Sequence, residues 1–249
     1  MTPTARNFLL LHLPANAFLL WLAYEWLALG ESTALRLVGS AAVALFIVTL
    51  AAVLHGATFA SFRDGAKPGL APAFQITLRH ILPLLVVVFA AVAIYGFLAW
   101  WAGYSVTPTA KLASWLTFKL RKPVKPATVL RYFDAVLWIV RWVLLPVDLL
   151  PLFSGVASRG WSGFREFGWR RYSRAYRLEI PLLALCAVWV PLRLVNWVPH
   201  FEGFTMQMTS FVLRVVVGYL LFVVAAVVMA VLTSRGKPAE SQLNTVPSP

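Results

Sequence analysis

Asp134, Arg141 and Asp148 lie seven residues apart inside an otherwise apolar stretch. An intramembrane charge costs roughly 2.5–3.5 kcal/mol at mid-helix on insertion scales. Residues repeating every seven positions on an α-helix drift by only about 20° per step. The three therefore share a face and form a candidate membrane-embedded polar network pointing into a bundle. The chemistry open to such a stripe is a path for ions, protons or an anionic substrate. The structural alternative pairs Arg131 with Asp134 at i,i+3 and gives Arg141 an acid on a neighbouring helix.

A second constellation is Arg193, Asn196 and His200, which fall on one helical face at i, i+3 and i+7. Glu25, Arg36, Glu202 and Arg214 are expected at similar depth, which makes a candidate outer-side pocket. Its arginines would grip a lipid phosphate or carboxylate with a bidentate fork. The plainer reading is that several of them snorkel to headgroups.

Between Trp161 and Arg177 the spacing places Trp169, Tyr172 and Tyr176 on one helical face and Arg170, Arg174 and Arg177 on the other. An interfacial helix follows, with aromatics in the acyl boundary and Arg170, Arg171, Arg174 and Arg177 on anionic headgroups. The same residue types bind nucleic acid, but a position directly between two spans points to lipid instead. His12, His55 and His80 fall near the same end of three successive spans, and two matched imidazoles can ligate haem. Four histidines in 249 residues is an ordinary number, and none has a recognised ligand spacing. No cofactor and no metal is expected. The sequence contains no phosphate-binding Gly-rich loop, no H-E-x-x-H and no nucleophile elbow; Gly160-Trp-Ser162-Gly163 is only half of the last. No catalytic residue is assigned.

The elements that must position these residues follow from composition. The chain is 60% hydrophobic and 12% charged, with a mean hydropathy of +0.77. Soluble domains carry roughly twice that share of charge, so the solvent is lipid. A span takes roughly 20 apolar residues, and backbone self-satisfaction leaves helices or closed barrels. Runs such as 82–102 and 211–232 are continuously apolar rather than alternating, which selects helices. The expected fold is an all-α, polytopic transmembrane bundle of about six spans, near 7–29, 34–59, 81–103, 129–153, 180–199 and 209–233, with interfacial amphipathic helices. The whole of 1–233 forms one transmembrane domain, followed by a disordered cytoplasmic tail over 234–249. The first span is read as retained: His12, Asn16 and Glu25 interrupt it, and it is too long for a signal-peptide core.

Orientation follows from basic loops. Arg6, Arg63, Lys67, Arg79, the Arg159–Arg177 cluster, Arg235 and Lys237 fall on one side of a six-span model, so both termini are expected in the cytoplasm. Lys111–Lys125 conflicts, carrying five cations on the far side; either it lies in the interface plane or the fourth run re-enters without crossing. Crossing is preferred. The net charge of +13 is thus read as topology and anionic-lipid contact, not nucleic-acid binding. Cys186, the only cysteine, is read as a buried inert thiol.

A parallel internal repeat is also visible. Phe62-Arg63-Asp64 precedes Leu78-Arg-His-Ile-Leu-Pro-Leu-Leu85, and Phe164-Arg165-Glu166 precedes Arg177-Leu-Glu-Ile-Pro-Leu-Leu183. The stretch Gly65–Leu85 resembles the loop and amphipathic lead-in of six-span bacterial membrane proteins of unassigned function. It is also similar to the membrane domain attached to some glycerophosphodiester phosphodiesterases. The resemblance covers the second and third spans, and the fourth and fifth more faintly. It implies architecture and a bacterial inner membrane, and it brings no catalytic motif. The functional expectation is a non-enzymatic multi-pass accessory or scaffold component that contacts anionic phospholipid and other membrane subunits. The alternatives are a small transporter or permease using the charge stripe, and a membrane redox or lipid-modifying enzyme.

Overall fold

The computed structural model describes residues 3–30, 32–63, 69–167, 173–199 and 202–235, and no strand occurs among them. Ten α-helices follow in order: α1 Pro3–Leu27, α2 Ala34–Arg63, α3 Leu70–Arg79, α4 Ile81–Tyr104, α5 Val106–Leu120, α6 Pro126–Ile139, α7 Leu145–Arg159, α8 Arg174–Ala184, α9 Val190–Asn196 and α10 Phe204–Arg235. Six stretches are long and apolar enough to cross a membrane: Ala5–Leu27, Ala34–Arg63, Ile81–Tyr104, Pro126–Arg165, Arg174–Asn196 and Phe204–Thr233. This is an all-α membrane-spanning bundle. The tail beyond residue 235 lies outside the described residues.

Two of the crossings contain a π turn. Val140–Leu144 joins α6 to α7, and Leu185–Trp189 joins α8 to α9. Each ends two residues ahead of a proline, Pro146 and Pro191. A proline ring inside an α-helix clashes with the carbonyl four residues back and offers no N–H. Widening the preceding turn removes the clash and keeps the helix continuous, so the fourth apolar run is one unbroken helical segment long enough to cross.

Three helices, α2, α7 and α10, pack against one another as an inner triad. A further helix fills each groove between them: α1 against α2 and α10, α4 against α2 and α7, α8 against α7 and α10. With lipid as apolar as leucine, such contacts rest on small residues that let backbones approach. A Cβ on Gly56 would sit 2.7 Å from the Thr77 methyl, so glycine there is what lets α3 lie against α2. A Cβ on Gly163 would meet the Gly155 backbone at 2.3 Å, where the 3-10 turn Gly160–Glu166 doubles back on α7. The partial elbow motif is therefore a packing device.

Burial is concentrated at one end. In α2 the buried residues run from Ala52 to Ser61, with only Ser40 in the first half. α7 buries most of Pro146–Ala157, whereas α6 buries only Val129. α8 buries Tyr176, Ile180, Pro181 and Ala184, and α9 buries nothing. In α10 most buried residues, Val223 through Thr233, again lie in the second half, with Gly218 buried against Pro191 before them. The three apolar clusters all belong to this clamped end. At the opposite, open end the helices expose large apolar side chains to lipid.

The basic segment after α4 is a helical hairpin. α5 turns at Arg121, which adopts a left-handed φ of 51°, and the Val124 N–H donates to Thr117 Oγ1 at 2.9 Å. α6 then returns beside α5, and the pair rests on α4. Lys111, Lys119, Arg121, Lys122 and Lys125 are exposed, as are Trp115 and Phe118.

Candidate functional site

The most buried polar side chains of the spans meet between α1 and α2. His12 and Asn16 stand one turn apart on α1, and Thr58 faces them from α2; all three are buried. The Asn16 amide donates to His12 Nδ1 at 2.8 Å and to the His12 carbonyl at 3.0 Å. That assigns the neutral tautomer of His12 with its proton on Nε2. Nε2–H then donates to Thr58 Oγ1 at 2.7 Å, and the Thr58 hydroxyl donates to the Leu54 carbonyl at 2.9 Å. The result is a one-directional chain from Asn16 through His12 and Thr58 to the Leu54 carbonyl, which engages both His12 nitrogens and the Thr58 hydroxyl as burial requires. Tyr219 on α10 binds the α1 backbone beside Pro14, donating to the Leu13 carbonyl.

His55 lies one turn before Thr58. Its ring packs 5.0 Å from that of His12 and 6.1 Å, edge-on, from Phe222. Among the described residues, no hydrogen bond reaches either of its nitrogens. Instead it borders an open-sided recess of about 380 Å³ between the triad and α4, lined by Val48, Ala51, Ala52, Phe59, Val88, Leu150, Phe153, Phe222, Ala226 and Met229. A second cavity of about 690 Å³ adjoins it toward α4 and α8, and the two share Val88, Leu150, Phe153 and Met229. Tyr95 is the only side chain with a hydroxyl in that second lining. It donates to the Arg141 carbonyl at 3.0 Å. Ligand sites fall in the range of about 300–1,000 Å³, apolar with a few placed polar groups.

The anticipated charge stripe does not converge. Asp134 and Arg131 are exposed on α6, Arg141 is half-buried in the π turn, and Asp148 is half-buried in α7 with one carboxylate oxygen turned inward. A π turn takes more residues per revolution than an α turn. A seven-residue spacing across it therefore leaves the original face. Among the described residues, no acid pairs with Arg141.

The expected outer-side residues serve their own helices. Arg36 reaches Ser32 Oγ at 3.1 Å, and Asn196 donates to the Leu192 carbonyl at 2.8 Å. The Arg193 guanidinium lies 5.3 Å over the Trp189 ring, and Glu25 is exposed. Arg214 alone joins two elements: from α10 it donates to the Leu194 and Val195 carbonyls at 3.1 and 3.4 Å. Those carbonyls end α9, where a cation complements the helix dipole. Arg193 and Asn196 share a shallow recess with Val198, which also borders the recess beside Arg214. His200 lies outside the described residues.

Of the basic interfacial set, Arg170 and Arg171 lie outside the described residues, as do Trp169 and Tyr172. Arg174 is exposed and Arg177 half-buried at the start of α8. Tyr176 corrects the expectation of a lipid-facing aromatic. It is buried with Val147 and Ile180 against Leu150, Met229 and Leu232, because α8 has already entered the bundle at that point. His80 closes the turn between α3 and α4, with Nδ1 3.3 Å from the Ala157 carbonyl. The three histidines are therefore not equivalent: both nitrogens of His12 are committed, and His55 alone faces open space.

The residues that build this site were partly legible. His12 and Asn16 at i,i+4, and His55 and Thr58 at i,i+3, are polar pairs at helical spacing inside apolar runs. No local signal joined one pair to the other. Among the described residues, no group of three or more His, Cys, Asp or Glu side chains is placed to hold a metal ion. Compared with protein-family models, curated proteins and solved structures, the chain matches none.

Proposed function

We propose that this chain is a non-catalytic, lipid-binding component of a bacterial inner membrane. It takes an apolar molecule into the bundle and places its basic end, with both termini, on the anionic cytoplasmic surface. The carrying observation is the pair of adjoining apolar recesses, about 380 and 690 Å³, open at the side of the bundle and lined by the inner triad with α4 and α8. Apolar walls of that extent between membrane helices match the apolar chains of a lipid. Arg63, Arg79, Arg159, Arg165, Arg174 and Arg177 gather at the clamped end, which fits anionic headgroups. The resemblance of Gly65–Leu85 to six-span bacterial proteins supports the compartment.

Native mass spectrometry of the purified chain tests this reading. The expected spectrum carries one apolar molecule that survives transfer into detergent, together with anionic phospholipid that Arg174→Gln with Arg177→Gln sheds. A bare chain, under conditions that preserve lipid on a control membrane protein, overturns it.

A further inference from the structure

We propose that His55 is the polar contact of the apolar recess between α2, α7 and α10, and that its ligand is an uncharged lipid presenting a carbonyl or hydroxyl oxygen. This rests on the lipid-binding reading above and adds the ligand's chemistry to it.

The inference follows from which polar groups are already spent. His12 accepts from Asn16 and donates to Thr58. Thr58 gives its proton to Leu54. Tyr95 gives its own to the Arg141 carbonyl. Among the described residues, His55 is the side chain on the two linings left with a free donor, the Tyr95 oxygen being able only to accept, and it makes no hydrogen bond. A neutral imidazole offers one donor and one acceptor, and in hydrocarbon only a ligand can engage them. The histidine is fixed for this purpose, its ring held between His12 and Phe222.

The lining also excludes charge. Among the described residues, no Asp, Glu, Lys or Arg borders either recess, so a phosphate or ammonium would find no counter-charge on these linings. The ligand must therefore have a long apolar body and a small neutral oxygen-bearing end. An isoprenoid quinone supplies this as a ring carbonyl, and a diacylglycerol as a hydroxyl.

The test uses the full-length chain in detergent with two neutral probes, decylubiquinone and dioleoylglycerol, and dioleoylphosphatidylglycerol as the charged comparison. Binding is read by native mass spectrometry. The parent should retain one neutral probe at least tenfold better than the phosphatidylglycerol, and which one it retains identifies the source. His55→Phe keeps the ring volume and removes the hydrogen bond, so it should weaken that probe about tenfold. His55→Gln restores a donor and an acceptor and should recover most of the binding. Ala226→Phe fills the cavity and should block the probe altogether. If Ala226→Phe blocks binding but His55→Phe leaves it at the parent level, lipid binding stands and the role of His55 falls. If neither variant matters, or the charged lipid binds as well as the neutral ones, both fall.

Discussion

Tyr95 on α4 donates its hydroxyl to the backbone carbonyl of Arg141 at 3.0 Å. That carbonyl lies in a π turn, where the Leu145 N–H is drawn back to Val140. The next candidate donor, Pro146, has no N–H. A tyrosine on a neighbouring helix thus completes a backbone that its own helix leaves open. Tyr95→Phe keeps the ring and removes the donor. It should lower stability by about 1 kcal/mol, the scale of one interhelical hydrogen bond in a membrane protein. The measurement is the thermal midpoint in detergent; an unchanged midpoint would show that the carbonyl is served another way.

The His12–Thr58 contact predicts a coupling. Thr58→Val preserves shape and strands the His12 Nε2–H, at a cost of about 1–3 kcal/mol. His12→Leu with Thr58→Val removes both partners, so the double variant should be more stable than the two single losses combined would give. A double-mutant cycle measures this directly. Strict additivity would mean that the two side chains do not depend on each other.

Glycine substitutions separate close approach from open space. Gly163→Ala places a methyl against the Gly155 backbone, which cannot move aside as a side chain can, and should prevent accumulation of folded protein. Gly39→Ala and Gly96→Ala meet nothing within 4 Å. Both should be neutral or stabilising by up to about 1 kcal/mol, because alanine is the better helix former. Expression and thermal midpoint of the three variants decide it; equal behaviour would refute the packing of the 3-10 turn on α7.

Much of the fold was legible because lipid imposes a length rule. The second span, expected over 34–59, is Ala34–Arg63, and the third, expected over 81–103, is Ile81–Tyr104. The fourth run, expected over 129–153 despite Arg141, Pro146 and Pro151, lies within one continuous helical segment, Pro126–Arg165, long and apolar enough to cross. What hydropathy could not supply was helical phase. The π turns sit inside the crossings and rotate everything after them, so Asp134, Arg141 and Asp148, aligned on paper, point differently in space. Nor does hydropathy say which helices are neighbours. The partnership of Asn16, His12 and Thr58 joins residues 46 apart, and the cavity beside His55 is made by four elements. Tyr176 was misplaced for a related reason: aromatic and arginine faces mark an interfacial helix only until the bundle closes over one of them.

The orientation carries its own test. Reporters fused after Arg235 and inserted near Thr205 lie at opposite ends of α10, a helix of 32 residues. At about 1.5 Å per residue it is longer than roughly 30 Å of hydrocarbon. The reporters should fall in opposite compartments, with the one after Arg235 in the cytoplasm. The same compartment for both would remove the sixth crossing.

The uneven burial along the helices has a consequence for traffic. α2 and α10 meet each other and α7 chiefly over one half of their length, while toward the other end Arg214 and Gly218 hold α10 to α9 and Trp26 holds α1 to Ser40 of α2. On the lipid-binding reading proposed above, the recesses beside His55 and Tyr95 open at the side of the bundle, so a molecule dissolved in the bilayer would enter between the helices without meeting water, and its depth would be set by where they close.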